Sequence, residues 1–461
     1  MRRLFGAGGV VLSTALAVGL AAGLWAHMQG QGGATEWFVS PGGAGPGTSE
    51  APFARIQDAL NAAAAGDTIT VRPGTYVEAI HSVRGGAPDQ PIRLRSIDGR
   101  GAVVVTATGR VLTVTHPYLT VEGVIFDGQY GTDDTVRIGS DAHAFTLRNA
   151  EVRRSSRDLV DIAAPRDVLV EDSLIHHALD ARNGRSDAHG IAAGAVQGLT
   201  LRTTEIHTFS GDAVQVDPGR SSPGWTGVLI EGCRFWLAPL AAAENGFAAG
   251  SVPGENALDT KASADLPRAT ITIRDTTASG FRAGIIANMA AFNLKENVDA
   301  LVDRVTVWDS EIAFRLRGPT ASAPTGARVT VMNAVVHNVA AAFRYEDDIE
   351  LLRVWNSTIG LGVERPFLAA SSSSDGLDVQ NVLILGARPR EANRPSNLNV
   401  GRDAFVDAAA HDYMPAPGAL PVDAGVTIAE VGHDRLGAPR PRGRGYDIGA
   451  YERPVSVSEA Q

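Results

Sequence analysis

The sequence predicts an all-β chain wound into a parallel β-helix, a solenoid in which each coil carries about three short strands. The main observation is an internal repeat of short apolar segments, most of them about 22 to 31 residues apart. The second is composition, since 51 glycines and only 6% aromatic residues favour many short strands and tight turns. The third is size, because 461 residues with 44% hydrophobic side chains can bury a large core.

The repeated segments share apolar alternation followed by a polar turn. They lie at 119–124, 145–150, 168–173, 199–202, 228–231, 271–274, 329–332 and 377–380. The longer step between Val228 and Ile271 predicts an insertion. Leucine-rich repeats would need a Leu and Asn ladder with a helical return segment, and a β-propeller would need blades of about 40 residues. Neither pattern is present, so the repeat favours stacked parallel strands.

The N-terminal segment carries an export signal. Arg2 and Arg3 are followed by an apolar run over 4–26, about the 20 residues that a membrane span needs. Residues 1–33 are therefore predicted to be either a cleaved signal peptide or a retained membrane anchor. Either reading places the protein outside the cytoplasm, secreted or periplasmic. Residues 34–453 are predicted to form the β-helix domain, and 454–461 are predicted to be a flexible tail.

A short amphipathic helix is predicted at the start of the domain. Over 53–65, Phe53, Ile56, Ala59 and Leu60 fall on one helical face. A solenoid core is open at its end, so a helix here would cap the first coil.

Charge and cysteine content exclude several classes of partner and bond. A net charge of −10 and a pI near 5.6 argue against nucleic-acid binding, which needs clustered Lys and Arg. The single Cys233 cannot form an intrachain disulfide and is predicted to be a small buried residue. We expect a monomer.

Motifs at both ends of the domain carry a family resemblance. The opening Trp-Phe-Val-Ser-Pro-Gly-Gly at 37–43 is followed by Pro-Gly-Thr at 46–48, Gly-Asp-Thr-Ile at 66–69 and Pro-Gly-Thr-Tyr at 73–76. These motifs resemble the entry of pectate-lyase-like β-helix proteins. The ending Tyr-Asp-Ile-Gly-Ala-Tyr-Glu at 446–452 is similar to that of many bacterial members. The resemblance implies a right-handed parallel β-helix and an acidic polysaccharide as substrate.

The second strands of the middle coils predict two polar ladders. We align these strands on their inward apolar residues, namely Ile191, Val214, Leu258, Ile285, Phe314 and Phe343. The residues one position onward form the first ladder, Ala192, Gln215, Asp259, Ile286, Arg315 and Arg344. Those three positions onward form the second, Gly194, Asp217, Lys261, Asn288, Arg317 and Glu346. Adjacent rungs of such ladders are about 4.8 Å apart, so these side chains would form one polar stripe.

The stretch 254–261 holds Glu255, Asp259 and Lys261 and suggests β-elimination from a uronate. That reaction needs a cation to neutralise the substrate carboxylate and a base to remove the adjacent proton. Lys261 is the predicted base, with a pKa lowered by neighbouring positive charge. The predicted substrate-binding residues are His189, Gln215, Asn288, Arg315 and Arg317.

The same stretch is similar to the lysine-base lyases of this superfamily, of the chondroitinase B and alginate lyase type. That resemblance implies Ca²⁺ held by acidic residues and an Arg one coil beyond the lysine, here Arg282. Because Ca²⁺ prefers carboxylate oxygens, its predicted ligands are Asp217, Glu255 and Asp259. The acid spacing departs from that family's spacing, so the ligand set is open.

Other readings of the stripe stay open at this point. A solvated face can carry charges simply as salt-bridged ladders, with Asp217 or Asp259 pairing with Lys261. Glycoside hydrolysis needs two carboxyl groups, such as Asp217 and Asp259. Uronate epimerisation shares the proton abstraction with elimination. A non-catalytic carbohydrate-binding scaffold is the remaining alternative.

Overall fold

The computed structural model describes residues 33–181, 187–219, 223–263, 265–284, 286–319, 325–346, 349–370 and 376–454. Over these ranges the chain winds into a parallel β-helix with three faces. No helix in the described residues is long and apolar enough to cross a membrane. Residues 1–32 and 455–461 lie outside the described part, so the signal or anchor segment and the flexible tail stay predictions.

The first face is a single parallel sheet of 13 strands. Its strands are Glu36–Val39, Thr68–Val71, Ile92–Ser96, Leu119–Glu122, Thr146–Arg148, Arg166–Glu171, Gln197–Arg202, Thr226–Glu231, Ala269–Arg274, Val298–Asp303, Arg328–Met332, Leu351–Trp355 and Leu377–Gln380. All eight repeated segments of the sequence fall in this sheet, which confirms the predicted repeat.

The second and third faces together form a 22-stranded parallel sheet, joined where Thr306–Arg317 and Val335–Glu346 run along both faces. The other strands of the second face are Gly74–Val77, Val103–Thr106, Val124–Gly131, Glu151–Ser155, Leu174–Ala178, Glu205–Phe209, Arg234–Trp236, Thr277–Ser279, Thr358–Ile359, Leu383–Leu385 and Leu398–Val400. The other strands of the third face are Ile80–His81, Leu112–Val114, Val136–Ile138, Val160–Ile162, Ile191–Ala193, Val214–Val216, Leu258–Thr260, Ala290–Leu294 and Val363–Ala369.

The core lies inside the solenoid and is built from stacked columns of identical or similar side chains. Phe292, Phe314, Phe343 and Phe367 form one such column, with successive ring centroids 5.5, 5.2 and 5.3 Å apart. In-register stacking arises because each inward residue lies directly beneath its partner on the next coil. Cys233 is also buried, as predicted. Each coil therefore depends on its neighbours to cover its apolar residues.

Both described ends of the solenoid are covered. The predicted helix is present over Ile56–Ala62, shorter than expected because Phe53 forms a β-bridge with Val39 instead. Three short 3₁₀ helices, Arg390–Ala392, Arg402–Ala404 and Ala408–Ala410, and the antiparallel pair Phe405–Asp407 and Asp412–Pro415 follow the last coils.

The terminal motif 446–452 packs back on those coils. The Ala450 N–H donates to Thr358 Oγ1 at 2.9 Å. The buried Arg440 and Glu452 form an ion pair at 2.7 Å.

Candidate functional site

Polar side chains line the outer surface of the third face over its middle coils. Strand register places Gln215, Asp259, Asn293, Arg315 and Arg344 side by side on successive coils. We call this surface the polar stripe. It consists of Gln215, Asp217, Asp259, Lys261, Asn293, Lys295, Arg315, Arg317, Arg344 and Glu346. The predicted stripe is therefore present, with one coil aligned differently.

The prediction was wrong for the coil between Asp259 and Arg315. One strand ends at Ser279, and the third-face strand begins only at Ala290, with Phe292 pointing inward. Asn293 and Lys295 therefore take the places predicted for Ile286 and Asn288. The predicted inward residue Ile285 lies outside the described residues.

The sequence contains a pattern that could have identified the coil of Asn293 and Lys295. Leu258-Asp259-Thr260-Lys261 and Phe292-Asn293-Leu294-Lys295 share one four-residue pattern, an inward apolar residue followed at positions two and four by polar ones. Lys261 and Lys295 are the only two lysines of the whole sequence. The fold places them at equivalent positions on adjacent coils.

Asp259 lies at the centre of the stripe and is only 4% exposed. Its Oδ1 accepts a hydrogen bond from Asn293 Nδ2 at 3.0 Å, and its Oδ2 accepts one from Lys295 Nζ at 2.8 Å. Burial and the negative charge of Asp212 raise the pKa of Asp259 to about 6, although Lys295 acts in the opposite direction. This carboxyl group therefore changes charge near neutral pH.

Lys261 lies between two carboxylates. Its Nζ is 3.4 Å from Asp217 Oδ2 and 4.0 Å from Asp259 Oδ2, and its side chain is 38% exposed. Burial lowers the pKa of Lys261, but the charges of Asp259 and Asp217 outweigh burial and raise it above its usual value. The lowered pKa expected for this lysine is therefore not found in the free protein. Arg315 and Arg317, the arginines expected to supply positive charge beside Lys261, pair with acids on other coils instead.

A buried network adjoins the stripe on the side of the preceding coil. Asp212 is 1% exposed and accepts from Asn256 Nδ2 at 2.8 Å and from Gln215 Nε2 at 3.2 Å. His189 Nδ1 accepts from the Asp212 backbone N–H at 2.8 Å, and His189 Nε2 is 3.2 Å from Asp187 Oδ1. The predicted residues Gln215 and His189 thus meet at Asp212, while Asn256 was missed.

His189 is subject to opposing influences on its protonation. Burial lowers its pKa, but the hydrogen bond to Asp187 and the charges of Asp212 and Asp158 raise it to about 9. The Asp212 backbone N–H needs the lone pair of Nδ1, so this hydrogen bond opposes the charged form and fits a neutral ring with its proton on Nε2.

Glu255 adds a second carboxyl group with a strongly shifted pKa. Burial is the main cause, and the charges of Asp212 and Asp187 add to it, so the pKa rises to about 7. Glu255 lies four residues before Asp259 on the same coil. Two carboxyl groups of this kind, which exchange protons near neutral pH, are typical of acid–base chemistry.

The far end of the stripe is a cationic group arranged around one acid. Arg315 binds Glu346 through two hydrogen bonds of 3.0 and 3.3 Å. Arg344 Nε is 2.8 Å from the same carboxylate, and Arg317 Nη1 is 3.5 Å from Glu296. Burial raises the pKa of Glu346, but the Arg315 hydrogen bonds and the three guanidinium charges lower it overall. The stripe is therefore polarised, acidic toward its first coils and rich in arginine toward its last.

Two predicted site residues do not belong to the polar stripe. Arg282, predicted one coil beyond Lys261, is half exposed and pairs with Asp309 at 3.7 Å. Asn288 donates its backbone N–H to Glu311 Oε1 at 3.1 Å. Its side-chain oxygen accepts from Arg344, so it touches the stripe only from the side.

The predicted calcium ligands do not form a metal site as they stand. No group of three or more His, Cys, Asp or Glu side chains in the described ranges is arranged to hold a metal ion. Both oxygens of Asp259 already accept hydrogen bonds, and Asp217 pairs with Lys261. Asp217, Glu255 and Asp259 therefore do not fit calcium without rearranging, and Ca²⁺ stays a prediction.

A groove continues the stripe toward the N-terminal coils. Its volume is about 330 Å³, and small residues such as Ala192 and Gly194 form its floor. Gln215 and Asp217 lie at one end, and Arg137 and Asp161 line the other. An extended ligand on the third face could thus run across several coils.

Comparison with known proteins places this geometry on a familiar fold. No family model matches the chain. A pectate lyase, Pel9A, superposes with a TM-score of 0.52 and 15% identity, covering 92% of this chain and 98% of that one. This chain has the right-handed β-helix fold of that pectate lyase. A rhamnogalacturonan lyase is also similar, at a TM-score of 0.47 and 15% identity, with 92% of this chain and 98% of that one covered.

One curated relative matches over a short stretch. It is the uncharacterized protein YwoF of Bacillus subtilis (strain 168), which is 36% identical over 69 residues. The match covers 14% of this chain and 15% of that protein. The predicted pectate-lyase-like fold is thus confirmed by structure, while the activity follows from neither comparison.

Proposed function

We propose that the third face binds an acidic polysaccharide and cleaves it by β-elimination, with Lys261 as the base. The observation that carries the proposal is the placement of the only two lysines of the chain on either side of buried Asp259. Lysine can lose its proton and serve as a base, whereas arginine stays charged. A fold shared with a pectate lyase supports the same choice of chemistry.

The arginine end of the stripe would hold the uronate. Arg315 and Arg344 present guanidinium groups on adjacent coils, and such groups bind carboxylates through paired hydrogen bonds. Neutralising the carboxylate makes the neighbouring C5–H acidic and stabilises the negative charge that develops as the C5 proton leaves. Because Glu346 already pairs with Arg315 and Arg344, the substrate must compete with an internal carboxylate.

The proton movements then balance between Lys261 and Glu255. The unprotonated amine of Lys261 takes the C5 proton, a C4–C5 double bond forms and the C4–O bond to the next sugar breaks. Glu255, whose pKa is about 7, would give its proton to the departing oxygen. Lys295 keeps Asp259 in place through the 2.8 Å hydrogen bond. No step passes through calcium.

The raised pKa of Lys261 sets the pH dependence of this reaction. The active form is the neutral amine, and raising the pKa leaves less of it at neutral pH. Below about pH 7 the rate should therefore rise about tenfold for each pH unit, because Glu255 still keeps the proton that it must donate. Above about pH 7 the loss of that proton offsets the growing fraction of neutral Lys261, so the rate should level off.

Glycoside hydrolysis is the second candidate, because Glu255 and Asp259 have pKa values raised to about 7 and about 6. Hydrolases use one protonated and one ionised carboxyl group. That mechanism would give a bell-shaped pH profile centred between the two values, with no role for Lys261 as a base.

A product assay separates these reactions. Pectate, alginate, chondroitin and related uronates are incubated with the protein, and the ultraviolet absorbance of unsaturated uronate is followed along with reducing ends. Elimination raises both signals, hydrolysis raises only reducing ends, and epimerisation changes sugar composition without cleavage.

Two variants make that assay specific. Lys261→Arg keeps the charge but cannot act as a base, so absorbance should be lost at every pH. Arg202→Ala, on the first face, is the matched control and should keep full activity. Undiminished absorbance with Lys261→Arg would remove the proposed base, and inactivity toward every uronate would favour a non-catalytic scaffold.

A further inference from the structure

A second surface, on the other side of the solenoid corner, carries a column of aromatic rings. Register aligns His176, His207 and Trp236 on successive coils of the second face. Their rings stack in parallel, with centroids 5.0 Å and 4.3 Å apart and interplanar angles of 8° and 15°. The ring planes therefore lie roughly perpendicular to the helix axis. The rings are only partly buried, so the column faces outward.

The column is interrupted once and then resumes. Trp236 is in register with Ser279, and Ser279 is in register with Trp308. Beyond Trp308 the stack continues to His337 and His411, with centroids 6.1 Å and 3.9 Å apart. We call these six rings, with the position of Ser279 between Trp236 and Trp308, the aromatic column.

The interruption leaves a slot of defined width. Two rungs separate Trp236 from Trp308, so their rings stand about 9 to 10 Å apart. A ring placed midway would lie about 4.8 Å from each tryptophan, within the range in which stacked rings attract one another. The floor is Ser279, a partly exposed residue whose hydroxyl is short enough to leave the slot open.

The polar groups at the rim are balanced in charge. Beside Trp236, Glu205 accepts from the indole N–H at 2.6 Å and pairs with Arg234 at 3.6 Å. The Arg234 guanidinium carbon also lies over the Trp236 ring, 5.7 Å from its centroid. Beside Trp308, Asp309 pairs with Arg282 at 3.7 Å. A charged ligand would therefore meet as much repulsion as attraction at this rim.

Two histidines of the column, His207 and His337, are uncharged at neutral pH. Burial, with the neighbouring His176 and His177, lowers the pKa of His207 to about 3. Burial, with the neighbouring His411, lowers the pKa of His337 to about 4. These two rings therefore add no positive charge to the stack, and hydrogen-bonding groups lie at its edges.

We propose that the slot between Trp236 and Trp308 is a binding subsite for one neutral pyranose ring of a glycan chain. A pyranose offers C–H faces on both sides, which can pack on two indoles at once, and hydroxyls around its edge. Glu205, Asp309 and Arg282 can accept or donate hydrogen bonds to those hydroxyls, and Ser279 Oγ can do so at the floor. The subsite is separate from the polar stripe and does not depend on its chemistry.

Tryptophan fluorescence can measure binding of three neutral probes, cellohexaose, mannohexaose and xylohexaose, to the full chain. Ser279→Trp fills the missing position of the stack without removing any existing ring, and should weaken binding at least tenfold. Ser279→Ala is the matched control and should bind within about twofold of the unmodified protein. Trp308→Ala removes one wall and should cost up to about tenfold, the value of one aromatic stacking contact.

Circular dichroism and thermal melting establish that each variant is folded, and Ser279→Trp should melt no lower than the unmodified protein. Equal affinity of Ser279→Trp and Ser279→Ala would overturn the proposal, as would the absence of saturable binding with all three probes. Lys261→Ala should leave the affinity for any probe that binds the unmodified protein unchanged. Loss of binding in that variant, with Ser279→Trp unaffected, would place the sugar on the third face instead.

Discussion

Replacing Asp259 by Asn should change how stability depends on pH, because this carboxyl group is held where its charge is disfavoured. Asp259 is 4% exposed, and burial together with Asp212 raises its pKa from 3.8 to about 6 despite the ion pair with Lys295. Asn has nearly the same shape but no charge to lose or gain. The two proteins therefore differ mainly in one titration.

The sign and size of the change in the free energy of unfolding follow from the pKa of Asp259 in the unfolded and in the folded chain. Below about pH 4 the group is protonated in both folded and unfolded chains and has no effect. Between about pH 4 and pH 6 the folded chain holds the proton more tightly, so stability falls as pH rises. Above about pH 6 the full penalty applies, on the order of 3 kcal/mol for a pKa raised from 3.8 to about 6. Asp259→Asn should avoid that penalty.

Urea denaturation in the presence of a chelator, at about pH 4 and about pH 8, measures the difference. Relative to the unmodified protein, Asp259→Asn should gain up to about 3 kcal/mol between the two conditions. Asp217→Asn, which alters an exposed acid of the same stripe, is the control and should change by less than about 1 kcal/mol. A structural salt bridge would behave in the opposite way, so a loss of stability of Asp259→Asn relative to the unmodified protein as pH rises would contradict this prediction.

Three further substitutions test other parts of the structure. Phe314→Ala removes the middle of the inner phenylalanine column and should lower the free energy of unfolding by about 3 to 5 kcal/mol in urea. Arg440→Leu leaves buried Glu452 without its cation and should cost about 3 to 5 kcal/mol, seen as faster proteolysis of the C-terminal segment. Arg315→Ala should weaken binding of an acidic polysaccharide about tenfold at low salt and less at high salt. Binding that is unchanged by Arg315→Ala would place the uronate elsewhere.

The fold could be predicted because every coil must bury its own inward residues and pair with its neighbours. That requirement repeats along the chain, so the eight apolar segments of the first face were visible as a periodic pattern. The polar stripe followed from the same periodicity wherever strand followed strand regularly. Gln215, Asp259, Arg315 and Arg344 are in register as predicted.

The stripe could not be predicted where the chain leaves the repeat. The step from the strand ending at Ser279 to the strand beginning at Ala290 is longer than the repeat predicts, and an alignment on Ile285 placed Asn288 where Lys295 stands. The charge interactions could not be predicted from the sequence either, because they depend on distances between side chains on different coils. Lys261 was expected to have a lowered pKa from nearby arginines, but its nearest charged partners are Asp217 and Asp259.

The polar stripe is proposed to hold the uronate of an acidic polysaccharide. A crystal structure of Lys261→Ala soaked with an oligogalacturonate or an alginate oligomer would test it most directly. We expect a sugar carboxylate within hydrogen-bond distance of Arg315 or Arg344, with the C5 of that sugar directed toward the position of the missing Lys261 amine. A sugar chain bound away from the third face, with Arg315 and Arg344 still paired only to Glu346, would contradict it.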